Sequence, residues 1–329
     1  MEELNEMKKQ FTKEEILEAK KLMQKIAMSS NREELIAQTI NDVYDPEYPV
    51  PELIQKVFNT GSADVSEHVY YFTPVLPTKE VYELSANCNV THSKKQPGTR
   101  SELSFTPAVS PDYYVCLQDL LDGDYSVLDF YGEDILEAMN RYDIYSVLQL
   151  IDAGAVARSN TFTLDSGSTK FDFPKLVSMR KAIRKYGRKL VLISGQNVTE
   201  DIELIDYDAD KNRPVTITDI VDEWISLEAL DVSVGGVSKD LIDDDVAYLV
   251  AVSDSKKNKP GYFYRRKLSG SIIASSPDTQ IINKERAILT TGTMKSVDTV
   301  DKFAKGIAGV EQIGAVLTNS YCVAKFTRS

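Results

Sequence analysis

The pattern of apolar residues between positions 82 and 109 limits what this chain can fold into. Two runs of alternating apolar residues flank a polar stretch that contains the turn dipeptide Pro97-Gly98: first Tyr82, Leu84, Ala86, Cys88 and Val90, then Leu103, Phe105, Pro107 and Val109. Alternating runs on either side of a turn predict a long two-stranded β-hairpin. Because a hairpin of two strands is at best marginally stable alone, this one is expected to pack on another surface.

The first 60 residues have a different, helical pattern. Thr12 and Glu15 have the spacing of a capping box, and apolar residues then recur every three or four positions. Pro51 suits the first turn of a short helix that ends near Phe58. These amphipathic helices form an arm without a core of its own, so we expect their apolar stripes to be covered from elsewhere.

Longer elements follow the predicted hairpin. A helix is predicted from Glu133 to Asp152, with Gly154 where it would stop, and a second helix from Pro174 to Gly187. The remainder has an α+β pattern, with a helix predicted at 219–230 and strands at 190–193, 246–252, 262–266, 285–289 and 313–326. The segment 180–189, which is the end of this helix and its exit, contains six cations and no acid: Arg180, Lys181, Arg184, Lys185, Arg188 and Lys189.

Composition narrows the function classes. The 329 residues are 42% hydrophobic and carry a net charge of −12, which argues against a general nucleic-acid binder because counterion release requires clustered cations. The three cysteines are far apart, which indicates reduced thiols, and two histidines leave little acid–base or metal chemistry. No apolar run approaches the roughly 20 residues of a membrane span.

Two motifs suggest catalysis or metal binding, and neither is complete. Asp165-Ser166-Gly167 is the triplet of aspartic proteases, but that chemistry requires a second such aspartate, which a homodimer would have to supply. Asp206, Asp208 and Asp210 have the spacing of calcium ligands, yet the loop lacks its later glycine and glutamate. The sequence therefore predicts no catalytic residue, no cofactor and no metal site.

The order of elements resembles the major capsid protein of tailed bacteriophages of the Hong Kong 97 type. Residues 82–109 correspond to its extended loop, 133–152 to its spine helix, 189–197 to the strand that begins its axial domain, and 309–326 to its closing segment. The resemblance implies an α+β, Hong Kong 97-like capsid fold. Its parts would be an N-terminal helical arm (1–66), an extended hairpin loop (67–117), a peripheral domain with the spine helix (118–187), an axial domain (188–300) and a return segment of the peripheral domain (301–329).

The same resemblance implies a structural function. The chain would assemble with itself into the pentamers and hexamers of an icosahedral shell, which encloses a phage genome without sequence-specific DNA binding. It would be part of the virion and assemble in the host cytoplasm, with scaffold, portal and decoration proteins as further candidate partners and no membrane. An encapsulin-like nanocompartment shell and an aspartic-type protease that uses Asp165 are the alternatives.

A shell subunit requires interfaces more than pockets, and three groups of residues are the candidates for them. In the hairpin they are the basic tip and its turn: Lys94, Lys95, Pro97, Gly98 and Arg100. In the arm they are the apolar positions Ile16, Leu22 and Ile26. On the second helix they are the cations Arg180 and Arg184, which could pair with acids of a neighbouring subunit or with phosphates.

Overall fold

The fold comes from a computed structural model of the chain. It describes residues 21, 24–26, 28–29, 35, 50–74, 98–110, 113–114, 126–165, 169–204, 207–208, 213–214, 217, 220–227, 230–234, 236–252, 259–268, 285–290 and 306–328.

The described helices are α1 (Glu52–Val57), α2 (Ser126–Ala157), α3 (Phe173–Ile183) and α4 (Gln196–Glu203). The last three account for most of the segment 126–203. Single 3₁₀ turns follow α3 at Arg184–Tyr186 and precede the last strand at Ser320–Cys322. In the arm, Lys21, residues 24–26 and Leu35 are helical.

Strands dominate the remainder. They are β1 (Phe58–Ala63), β2 (Tyr70–Pro74), β3 (Gly98–Glu102), β4 (Thr106–Val109), β5 (Tyr113–Tyr114), β6 (Thr161–Thr163), β7 (Lys189–Ser194), β8 (Tyr207–Asp208), β9 (Arg213–Pro214), β10 (Glu223–Ser226), β11 (Asp231–Val234), β12 (Val237–Asp240), β13 (Val246–Val252), β14 (Gly261–Arg266), β15 (Arg286–Thr290), β16 (Gly306–Leu317) and β17 (Val323–Thr327).

The chain divides into two units. The first contains Met1–Pro49, Pro107–Met139 and Lys267–Gln312. In it β15 pairs antiparallel with the first half of β16, where the buried side chains of Arg286 and Glu311 form an ion pair. Gly309 lies directly against α2, because a Cβ at this position would be 2.5 Å from the Met139 sulfur.

The second unit contains Val50–Thr106, Asn140–Arg266 and Ile313–Ser329. Its centre is a five-stranded sheet in the order β10-β7-β13-β17-β6. Side chains alternate across a strand, so Val191 and Ile193 of β7 pack with α1 and the end of α2, and Leu190 and Leu192 pack with α3 and α4. Burial on both faces explains why the run is continuously apolar.

Beside this sheet, β1 pairs parallel with β14, and β14 pairs antiparallel with the second half of β16. A buried ion pair joins this group to α2: the Arg265 guanidinium donates to the Asp143 carboxylate at 2.6 Å, and both side chains are 0% exposed. The pair fixes the rotation of α2 against β14, since an isolated buried charge is costly.

The structure confirms the long helix, the second helix and the strand at 190–193, and it extends the long helix from the predicted 133–152 to Ser126–Ala157. Gly154 does not end that helix. A Cβ at Gly154 would lie 2.2 Å from Leu317 Cδ2, so the glycine allows β16 to approach the helix closely.

Two other predictions were wrong. The helix predicted at 219–230 is not present, because Glu223–Ser226 form strand β10 beside β7. Trp224 and Ile225 pack into different cores, as neighbours on a strand do. The single strand predicted at 313–326 is divided by the turn at Ser320–Cys322, where the Asn319 side chain accepts a hydrogen bond from Tyr321 N.

We expect Arg265→Met to lower the free energy of unfolding by about 3–5 kcal/mol, because Asp143 loses its buried guanidinium partner. The double variant Asp143→Leu/Arg265→Met removes both charges and is expected to regain most of that loss. Urea denaturation of the unassembled chain measures both. Equal losses in the single and double variants would show that the two charges do not act as a pair.

Cys322 reports on the integrity of the second unit. The thiol is free and buried, and burial raises its pKa from 9.0 to about 12. In a Cys88→Ser/Cys116→Ser background, we expect iodoacetamide at pH 8 to react at least about a hundredfold more slowly with the native chain than with the urea-unfolded chain. The unfolded thiol ionises at lower pH, so this group also reduces stability as the pH rises from 9 towards 12. Equal alkylation rates would place Cys322 at the surface.

Candidate assembly surface

The base of a β-hairpin is formed by β2 and β3, which pair antiparallel from Tyr70 with Glu102 to Pro74 with Gly98. The alternating run 82–90 that was predicted as the first strand lies outside the described residues. The turn predicted at Pro97-Gly98 was wrong for Gly98, which begins the returning strand. The run Tyr70-Tyr-Phe-Thr73, rich in strong strand formers, is the signal that could have located β2.

Arg100 is likewise not at a tip. It lies opposite Phe72 inside the strand pair, and its Cζ is 4.1 Å from the centroid of the Tyr70 ring. Phe72 covers Gly98, where a Cβ would be only 2.1 Å from Phe72 Cζ. Tyr70, Phe72, Gly98 and Arg100 therefore form one surface, which we call the aromatic face.

The aromatic face is exposed. Tyr70 is 50% and Phe72 is 42% accessible, and both project from the same side of β2. Large side chains grouped at a surface mark contact sites more often than isolated ones do.

The hairpin base beneath this face is firmly held. Leu103 N donates to Val69 O at 2.8 Å, and the buried Leu103 side chain packs on Gly314 of β16. Arg266 donates to Glu67 O at 2.7 Å while its guanidinium lies 4.0 Å from the Phe105 ring centroid. The side chains of His68 and Glu102 meet at 2.5 Å. An exposed face on a fixed support is suited to docking, because little order has to be gained on binding.

The arm differs from its prediction at the one apolar candidate that can be checked. Ile26 is only 2% exposed, so at this position the helical stripe is covered within the chain, contrary to the expectation of a bare arm. The adjacent Lys25 is exposed, as expected for the opposite side of an amphipathic helix. Ile16 and Leu22 lie outside the described residues, as do Lys94, Lys95 and Pro97 of the hairpin.

The two cations predicted on α3 have different surroundings. Arg184 is exposed at the end of the helix. Arg180 is half-buried, and its Nε has no hydrogen-bond partner among the described residues. Both stay candidates for an interface.

A ladder of cations and rings lies beside Arg184, and sequence reasoning missed it. Arg158 Cζ is 3.9 Å from the Tyr321 ring centroid, Tyr321 and Tyr186 have centroids 5.3 Å apart, and Lys185 Nζ is 4.8 Å from the Tyr186 ring. Its members come from three distant parts of the sequence, so no local pattern could have revealed it. It extends the cationic surface at the exit of α3.

Nothing in the described residues assembles a catalytic or metal centre. Asp165, the protease candidate, is ion-paired with Lys175 Nζ at 2.6 Å. In the described part of the chain no group of three or more His, Cys, Asp or Glu side chains is close enough to hold a metal ion. None of its helices combines the length and apolar character needed to cross a membrane.

Comparison with known proteins gives matches in structure only. No protein-family model matches the sequence, and no curated protein matches it. A solved structure from Microbacterium phage Oxtober96 matches with a TM-score of 0.53 and 11% identity, over 87% of this chain and 93% of that chain. One from Gordonia phage Cozz matches with a TM-score of 0.52 and 10% identity, over 87% and 89%. One from Mycobacterium phage Adephagia matches with a TM-score of 0.50 and 10% identity, over 88% and 93%.

These matches extend over most of both chains, so the similarity includes the whole arrangement of elements and not one common motif. The chain has the Hong Kong 97-type capsid fold, in agreement with the fold class expected from the order of its elements.

We expect Gly314→Val to loosen the hairpin base. A Cβ at position 314 would lie 2.9 Å from Ser104 O and 3.0 Å from Leu103 Cγ, so the backbone of 103–104 would have to move. The Leu103 amide, which donates to Val69, should then exchange with deuterium at least about tenfold faster. Ala315→Val, an enlargement at the next residue on the other side of β16, is the control. Unchanged Leu103 exchange in Gly314→Val would mean that β16 does not support the hairpin.

Proposed function

We propose that this chain is a major capsid protein that assembles with itself into a closed icosahedral shell around a phage genome and performs no catalysis. The observation that supports this most is the aromatic face: Tyr70 and Phe72 are exposed on a hairpin base that the rest of the second unit holds in place. The full-length similarity to phage structures supports the same function.

The aromatic face would dock on a neighbouring copy. Fully buried Tyr and Phe side chains each remove about 150–250 Å² from water, so covering the exposed half of both rings contributes about 4–6 kcal/mol. A gain of this size does little more than offset the cost of association, which is about 4–15 kcal/mol. One contact is therefore too weak alone, and assembly would depend on many equivalent contacts around closed rings of pentamers and hexamers.

The remaining parts of the proposal concern roles and partners. The arm (1–66), the extended loop (67–117) and the segments 118–187, 188–300 and 301–329 would have the roles that the capsid family gives them. DNA would be enclosed without sequence-specific contact, since the net charge of −12 disfavours tight binding of a polyanion. Scaffold, portal and decoration proteins would be the other partners, and assembly would take place in the host cytoplasm before release in the virion.

The first test is electron microscopy of the expressed chain, combined with analysis of its contents. We expect closed particles, and in infected cells we expect them to contain DNA. Particles that contain a cellular cargo protein instead would identify a nanocompartment shell. A chain that stays monomeric, with a protease activity lost in Asp165→Ala, would overturn the proposal.

Shortening the hairpin tests which surface drives assembly. Pro74 and Gly98 are paired across the strands, so an Asn-Gly turn can replace residues 75–97 without changing the register of β2 and β3. We expect this variant to fold and to fail to form closed particles, as measured by sedimentation velocity. Replacing 75–97 by a Gly/Ser linker of equal length is the matched control for loop length, and it should fail in the same way. Normal particles from either variant would show that the loop is not an intersubunit contact.

A further inference from the structure

The two ends of the five-stranded sheet carry opposite charge on the side that α3 and α4 cover. Strand β7 runs from the exit of α3 to the start of α4, and β13 runs antiparallel to it. The residues just before β7 therefore lie near the C-terminal end of β13. The residues just before β13 lie near the C-terminal end of β7. At about 3.3 Å per residue, these two ends are roughly 20 Å apart.

The first end is basic. Gly187 packs on the backbone of Ala251 and Val252, which places the α3 exit at the finish of β13. Arg188 follows in the bend that precedes β7, and its side chain is exposed. Four cations define this basic end: Arg158, Arg184, Lys185 and Arg188.

The cations of the basic end are exposed, and none of them forms an ion pair with a carboxylate in the described part of the chain. The acids of edge strand β10 and its approach have partners elsewhere. Asp222 accepts a hydrogen bond from Leu190 N, and Glu223 pairs with Lys56 at 3.1 Å. Arg158 and Lys185 are held over Tyr321 and Tyr186, so their positions are fixed in advance of any partner.

The second end is acidic. The turn that contains Asp243 and Asp244 packs on Gly195, where a Cβ would be 2.3 Å from Asp243 O. Asn197 N donates to Asp244 O, which brings the start of α4 and exposed Glu200 beside the turn. Asp243, Asp244 and Glu200 define this acidic end.

The cation Arg328 lies near the acidic end and is already engaged. Arg328 donates to the backbone oxygens of Asn197 and Thr169, both at 3.3 Å, and its Nε lies 3.6 Å from Asp201. These contacts place Arg328 beside Asp201, and Asp244 is exposed.

We propose that the basic end of one copy docks on the acidic end of the next copy in the ring. This inference rests on the proposed function, because it assigns a surface to the assembly that the function requires. A contact between two different patches of one chain is heterologous, and such contacts close into rings in which every copy uses both patches. Each copy brings one patch of each sign, so no charged end is left unmatched.

The charge of the whole chain favours a sibling copy over nucleic acid as the partner of the basic end. A net charge of −12 repels a long polyanion, whereas a second copy presents the local acidic cluster of Asp243, Asp244 and Glu200. Exposed ion pairs of this kind set orientation and rate of encounter more than affinity. The contact would fix the head-to-tail orientation of adjacent copies, so that the aromatic face of one copy meets its docking site on the next.

A charge-swap experiment tests the pairing in the full chain. We expect Arg188→Glu and Asp244→Lys each to raise the critical concentration for assembly at least about fivefold, because like charges then face each other at every contact. The double variant Arg188→Glu/Asp244→Lys restores opposite charges and should assemble within about twofold of wild type. Lys239→Glu, an equal charge change on exposed β12, is the matched control and should assemble normally. Light scattering against protein concentration gives the values.

The outcomes separate this inference from the proposed function. A wild-type chain that forms no particles overturns the function. Wild-type assembly with both single variants unaffected, or without recovery in the double variant, overturns the pairing alone. Normal assembly of Arg188→Glu with lost DNA retention in a filter-binding assay would make nucleic acid the partner and also overturn it. If a reversal variant loses the native protection of Cys322, the milder Arg188→Gln and Asp244→Asn take its place, with a smaller rise expected.

Discussion

A hairpin that is anchored at its base and exposed on its aromatic face is the constraint on which the assembly account depends. Tyr70 and Phe72 stand on β2, and Leu103, Gly314 and Arg266 fix the strand pair from beneath. A surface of this kind has already lost its conformational freedom in the lone chain, so covering it costs little further entropy. Under the proposed function, the same surface on every copy would convert a folded chain into a component of a shell.

The sheet of the second unit would provide the rigidity that the proposed shell subunit requires. Its central strands β7 and β13 are buried on both faces, by α1 and α2 on one side and α3 and α4 on the other. In these two strands charged residues are consequently confined to the ends, where the chain enters and leaves the sheet. The basic charge of one end comes from the local sequence at 184–188, and the acidic charge of the other end comes from 243–244. The antiparallel pairing of β7 and β13 places these two segments at opposite ends of the sheet.

Much of the fold was predictable because its long elements have strong local signals. The helix at 126–157, the α3 helix and the buried strand β7 follow from periodicity and from Pro174 and Gly187. The prediction that the helix stops at Gly154 was wrong because this glycine is required for tertiary packing. Leu317, which is distant in sequence, occupies the space of its missing side chain. Strand β10 misled because four residues are too short a window to distinguish a strand from a helix by period.

The candidate site was less predictable for the same reason. The cationic run 180–189 is visible in the sequence, and Arg184 is exposed as expected, but Arg158 and Tyr321 join it only through the fold. Ile26, expected to lack cover, is buried within the chain, because period alone does not show which surface covers a stripe. Arg100 was placed at a tip although pairing with Phe72 puts it inside the strand pair.

Hydroxyl-radical footprinting of Tyr70 and Phe72, in unassembled chains and in assembled particles, tests the central claim most directly. Both rings are accessible in the lone chain. If neighbouring copies cover the aromatic face, oxidation of both side chains should fall at least about fivefold on assembly, while exposed Val237 on β12 keeps its rate. Equal oxidation of Tyr70 and Phe72 in the two states would contradict the account, since the shell would then form without using this face.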